Sequence, residues 1–119
     1  ANNNNKLIIN GDGNHTRDFI HVNDIVNAIY MSFSDKNNFS TYHVSTGVET
    51  SLNKLIRIFQ KYYKKYNIEL NVLNVKERLG DAKKNYSSPL KIKRNLGWTP
   101  KIKLEEGVQD TIDWYMNEK

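Results

Sequence analysis

Between Leu52 and Tyr63 the apolar residues Leu52, Leu55, Ile56, Phe59, Tyr62 and Tyr63 recur at spacings of three and four. A helix, at about 3.6 residues per turn, gathers such positions on one side, so this segment reads as an amphipathic helix that needs an apolar surface to lie on. Similar stripes run through Ile25, Val26, Ala28, Ile29 and Phe33, through Leu90, Ile92 and Leu96, and through Val108, Ile112, Tyr115 and Met116. Between them lie short runs with strand character: Leu7-Ile8-Ile9, Phe19-Ile20-His21-Val22, Tyr42-His43-Val44, and residues 68–75, where Ile68, Leu70 and Val72 alternate with polar residues. Short strands alternating with about four helices predict a small mixed α/β domain.

The punctuation agrees with this division. Asn10-Gly11-Asp12-Gly13-Asn14 is a turn cluster, since Gly, Asn and Asp accept the positive φ that tight turns need. Asn23 or Asp24 is the expected cap of the first helix, and Thr50 or Ser51 that of the second. Pro89 suits the first turn of the third helix and Gly97 its end. Residues 34–40 read as a polar loop, residues 76–87 show no period, and the Asn-rich start, residues 1–5, reads as disordered.

The 119 residues suit one domain, with residues 6–119 forming it. There is no cysteine, which excludes disulfides and thiolate metal sites. The apolar run from Ile25 to Phe33 is interrupted and far too short to span a bilayer, and no basic-then-apolar leader opens the chain. A cytoplasmic location is the default expectation. The net charge of +5 comes mostly from dispersed lysines without interleaved aromatics, a pattern expected of composition rather than of a nucleic-acid surface.

Gly11-Asp12-Gly13-Asn14-His15-Thr16 begins like a dinucleotide fingerprint. It carries Thr16 where the third glycine belongs and leads toward a strand, so it reads as a turn. Tyr115 and Lys119 have the spacing of a catalytic Tyr/Lys pair, but they sit on the last turn and read as coincidence, with Tyr115 as core. His15, His21 and His43 are too dispersed for a metal site and read as surface or strand residues.

Two arginines stand out in a chain whose basic residues are mostly lysine. Arg17 follows the glycine turn, and Arg78 lies in the aperiodic stretch with Gly80 and Asp81 close behind. A planar guanidinium grips phosphate oxygens with two parallel bonds. The competing reading pairs each arginine with a nearby carboxylate, Asp18 or Glu77. Chemistry alone leaves the two readings level.

The run from Gly11 to Asp24 resembles the segment that opens the substrate-binding region of UDP-glucose 4-epimerases and their relatives, in the NAD-dependent epimerase/dehydratase family of extended short-chain dehydrogenases. Tyr42-His43-Val44-Ser45-Thr46-Gly47 with Thr50-Ser51-Leu52 resembles the strand-turn-helix that follows. Arg78-Leu79-Gly80-Asp81 resembles the second arginine loop. Leu96-Gly97-Trp98-Thr99-Pro100, Leu104-Glu105-Glu106-Gly107-Val108 and Thr111-Ile112-Asp113-Trp114-Tyr115 resemble the closing segments. The motifs occur in the family's order.

The resemblance implies the C-terminal, substrate-binding part of a Rossmann-type epimerase without its dinucleotide-binding half. It implies that Arg17 and Arg78 clamp the diphosphate of a nucleotide sugar, that Asp81 accepts from the ribose hydroxyls, and that main-chain groups of Ile8 and Asn10 read the base. The implied partners are a UDP-sugar, an upstream NAD-binding domain of the same protein and a second copy in a homodimer, with neither membrane nor nucleic acid. NAD would be the cofactor of the whole enzyme. This chain by itself would hold no cofactor and no catalytic Tyr/Lys, and would be catalytically silent. The helix after Val22 and the strand at Tyr42 to Val44 would pack on the missing domain, leaving an apolar face that favours self-association or rearrangement. Two departures stand out: Ser45 replaces a glycine of many relatives, and Ser87-Ser88 replaces an Ala-Asp pair. Asp81 follows Gly80 directly, where related dehydratases usually carry a histidine, which favours the epimerase branch. A dTDP-glucose 4,6-dehydratase or other dehydratase or reductase relative is the alternative, and a stand-alone anion- or nucleic-acid-binding module the third.

Overall fold

The second helix forms where its stripe places it, as α2 (Leu52–Tyr63) in the computed structural model, which describes residues 6–36 and 40–118. Residues 1–5, expected to be disordered, lie outside the described residues, as does Lys119. Ser51 Oγ accepts from Lys54 N at 3.2 Å, satisfying an amide that a helix start leaves without an intrahelical partner. α2 lies against the C-terminal helix, here α4 (Leu104–Asn117). Ile58, Tyr62, Val108 and Ile112 form the buried contact, with Leu55, Phe59 and Met116 packed around it. Ile58 belongs to this core although it falls outside the expected stripe. Tyr115, expected in the core, is 42% exposed.

A second cluster joins Ala28, Ile92 and Trp98. It is built by α1 (Val22–Ser32), α3 (Leu90–Leu96) and the turn after α3. Gly97 ends α3 at φ +70°, donating its N–H to Lys93 O, a left-handed position where a side chain would be strained. Phe19 to Val22 is not a strand: residues 18–21 are irregular and Val22 opens α1. The hydrogen bonding of β2 to β5 ends with Asp18 N on Asn85 O, and no strand among the described residues pairs with residues 19–22. The cap of α1 is His21, whose Nδ1 accepts from Asn23 N at 3.3 Å, rather than Asn23 or Asp24. Asp24 turns inward instead. It is 4% exposed and accepts from Lys101 N and Ile102 N, each at 3.0 Å. Its carbonyl accepts from Trp98 Nε1 at 3.2 Å.

The strands are short. β1 (Lys6–Asn10) pairs in parallel with β4 (Asn71–Val75), Lys6 opposite Asn71 and Asn10 opposite Val75. β2 (Thr16–Arg17) lies between β3 (Thr50–Ser51), antiparallel, and β5 (Lys84–Asn85), parallel. The half-buried residues Ile68 and Leu70 precede β4, whose own residues are all exposed, so the expected strand is shorter than 68–75. Tyr42 to Val44 is not a strand, because no described strand pairs with it. Tyr42 and Val44 pack instead against the Ala28–Trp98 cluster.

The molecule measures 52 × 37 × 18 Å, with a radius of gyration of 17.1 Å. A compact domain of this length would have one of about 13.5 Å. No helix among the described residues is long and apolar enough to cross a membrane.

Candidate functional site

Two parallel pairings, β1 with β4 and β2 with β5, make the connections after β1 and β4 run side by side. The first connection is the glycine turn, and the second carries Arg78. Polar bonds stitch them together. Gly11 N donates to Val75 O at 2.9 Å, and Asn74 Nδ2 to Gly11 O at 2.8 Å. Thr16 N donates to Lys83 O at 2.9 Å. His15 Nε2 meets Glu77 Oε1 at 2.9 Å, the imidazole donating to the carboxylate. At Gly13, φ is +75°, and a Cβ would collide with the Asn53 amide. That amide donates to Asp12 O at 3.0 Å and so fixes the turn to α2. Asp12 in turn accepts from the main chain and side chain of Asn14, which holds its carboxyl below the usual carboxylate range.

Arg17 reaches across this seam. Its Nη1 donates to Thr16 O at 2.7 Å and to Ala82 O at 2.8 Å. Two bonds use both hydrogens of that nitrogen, which leaves the Nε–Nη2 edge with no partner among the described residues. That edge is one of the faces through which a guanidinium binds an oxyanion in bidentate fashion. Arg78 lies in the same loop as Ala82, with Asp81 N turned back to Arg78 O at 3.4 Å and Gly80 at φ +88°. Its side chain makes no ion pair or hydrogen bond among the described residues, and Asp81 is likewise exposed.

The carboxylates offered by the competing reading are committed elsewhere. Asp18 accepts from Thr46 N, from Thr46 Oγ1 and from Gly47 N, holding the turn before β3. Glu77 is bound to His15. Neither arginine is therefore neutralised by the neighbour that sequence proximity suggested.

β1 has one open edge, since it pairs only with β4 among the described residues. Main-chain groups alternate sides along a strand. Gly11 N points to β4, so Ile9 shares that side and Ile8 and Asn10 present their N–H and C=O groups to the open edge.

His15 is buried at 8% exposure, not a surface residue. Its bond to Glu77 spans 62 positions, and no local pattern announces it. The two departures from the family pattern also meet: Ser45 Oγ donates to Ser87 O at 2.9 Å. Ser88 Oγ accepts from Leu90 N at 3.4 Å, at the start of α3. The glycine turn runs into β2 rather than into a helix, so it has no helix N-terminus to hold a pyrophosphate, and these residues do not form a dinucleotide cradle.

Comparison with known proteins agrees with the fold. Residues 1–111 match the family model described as GDP-mannose 4,6 dehydratase. The chain is 30% identical over 115 residues to the dTDP-D-glucose 4,6-dehydratase of Homo sapiens, covering 94% of this chain and 33% of that protein. It superimposes on the UDP-glucose 4-epimerase of Thermotoga maritima, solved with UDP-glucose, with a TM-score of 0.84 and 30% identity. That match covers 95% of this chain and 35% of the other. It likewise superimposes on MoeE5, solved with UDP-glucuronic acid and NAD, with a TM-score of 0.85 and 25% identity, covering 96% of this chain and 38% of that one. The chain thus spans about a third of the length of the relatives it matches. On the family match, which spans residues 1–111, the chain belongs to the GDP-mannose 4,6-dehydratase family of nucleotide-sugar epimerases and dehydratases.

Proposed function

We propose that this chain is the substrate-gripping part of an NAD-dependent nucleotide-sugar epimerase, with Arg17 and Arg78 holding the diphosphate of a UDP-sugar. The observation that carries the reading is the state of Arg17. One nitrogen is fixed to two carbonyls, one of them in the Arg78 loop, and the opposite edge is left for an anion. The unpaired Arg78 supplies a second positive charge in the adjoining loop. A diphosphate carries about two negative charges, and each charge-assisted bond contributes about 1.5–3 kcal/mol. Asp81 would accept from the ribose, and the open edge of β1 at Ile8 and Asn10 would meet the base.

The role is binding and orientation: a held diphosphate restricts the sugar to rotation about a fixed anchor. Hydride chemistry, with NAD as in the MoeE5 complex, belongs to the whole protein, and this chain by itself is expected to interconvert no sugar. The exposed apolar residues Val26 and Ile29 of α1, with Phe33 just after it, would lie on the upstream NAD-binding part. The open shape supports such a neighbour. The direct succession of Gly80 and Asp81 favours an epimerase over a dehydratase.

Titration calorimetry with UDP tests the reading. Saturable binding is expected, with Arg17→Ala and Arg78→Ala each weakening it about tenfold or more. A binding curve unchanged by either substitution, or one that falls as steeply with salt as binding to any polyanion, would refute it.

A further inference from the structure

We infer that the His15–Glu77 pair positions Arg78 for the diphosphate, which makes Glu77 a positioning residue of the binding site. The inference rests on the proposed function of Arg78. The connection at residues 76–83 is exposed throughout and has no core of its own, so its conformation depends on polar ties to the glycine turn. At its C-terminal end, Ala82 O holds Arg17 and Lys83 O holds Thr16 N. At its N-terminal end, Val75 O is held by Gly11 N. Between these anchors the only side-chain tie among the described residues is Glu77 to His15, one residue before Arg78. His15 is itself fixed: the ring is buried, and its carbonyl accepts from Leu52 N at 3.1 Å, the first amide of α2. Glu77 is thus joined through a rigid ring to the body of the molecule, whereas Arg78 and Leu79 beyond it extend into solvent.

A carboxylate beside an anion site would ordinarily weaken anion binding by repulsion. A positioning role predicts the opposite on removal. Without its tie the loop would sample more conformations, and Arg78 would lose entropy on binding that the intact loop has already given up.

The test is UDP affinity of the 119-residue chain, measured for Glu77→Ala and Glu77→Gln, alone and with Arg78→Ala. Glu77→Ala should weaken binding about five- to tenfold. Glu77→Gln, whose amide oxygen still accepts from His15 Nε2, should restore most of it. In the Arg78→Ala background, Glu77→Ala should cost nothing further. Glu77 is half exposed, so these variants keep the core intact, and matching urea midpoints check that they do. Three results overturn the inference: unchanged or tighter binding by Glu77→Ala, failure of Glu77→Gln to restore affinity, or an equal loss with and without Arg78. If Arg78→Ala alone leaves UDP binding unchanged, the functional reading falls and the inference with it. If Arg78→Ala weakens binding and Glu77→Ala does not, only the inference falls.

Discussion

α1 and α2 carry similar sequence signals and have opposite fates. Along α2 the stripe meets α4, and Ile58, Tyr62, Val108 and Ile112 are all at least nine-tenths buried. Along α1 and at the residue that ends it, Val26, Ile29 and Phe33 are 57%, 53% and 83% exposed, and only Ala28 of the stripe is buried. α1 is attached instead through a polar anchor, the Asp24 carboxylate on Lys101 N and Ile102 N, and through Ala28 against Trp98. An apolar stripe therefore establishes that a helix has a face to cover, without establishing that the covering element lies in the same stretch of chain.

The comparison can be broken most directly by truncation on the two sides. Ile112→Ala should cost about 3–4 kcal/mol, because it leaves a cavity in the α2–α4 contact. Ile29→Ala should shift stability by less than about 0.5 kcal/mol, as expected at an exposed site. Urea unfolding of the two variants decides it, and equal losses would mean that α1 is covered after all. The polar anchor comes next. Asp24→Ala should cost about 2–3 kcal/mol, since it strands two amides that a buried carboxylate now satisfies. If it cost no more than Ile29→Ala, some other contact would hold α1.

The smallest effect sharpens the α2 side. Tyr66, just past α2, donates its hydroxyl to Asp113 Oδ1 at 2.7 Å. This bond, with a smaller contribution from desolvation, raises its pKa above the ordinary 10.0, because a phenolate would lose the bond and face a carboxylate. The linked stability is present below pH 10 and is lost as the pH rises through the raised folded value. Alkaline unfolding of Tyr66→Phe should lack this component, and the same pH dependence in both proteins would count against it.

Much of the fold was legible. The α2 stripe, the Ser51 cap and the Gly97 stop depend on contacts within a few residues, and local rules describe them. The errors fall where a distant partner decides. Phe19-Ile20-His21 and Tyr42-His43-Val44 have strand composition, but a strand exists only where a neighbour supplies hydrogen bonds. Asp24 looked like a cap and is a tertiary anchor, because the amides of residues 101 and 102 arrive beside it. At the candidate site, Arg17 and Arg78 could be singled out from residue type and turn chemistry alone. Whether Asp18 and Glu77 would neutralise them could not be read, since the partners that occupy those carboxylates lie at Thr46, Gly47 and His15.

By itself the sequence determined the helices, the turns and the identity of the two arginines, because propensity, periodicity and capping act over a few residues along the chain. Tertiary structure alone decided which stripe is buried, which carboxylates are engaged and which edge of Arg17 remains open. Those outcomes depend on groups far apart in sequence that meet only in the folded chain, where α2 lies on α4 and the parallel pairing of β1 with β4 and of β2 with β5 lays two loops side by side.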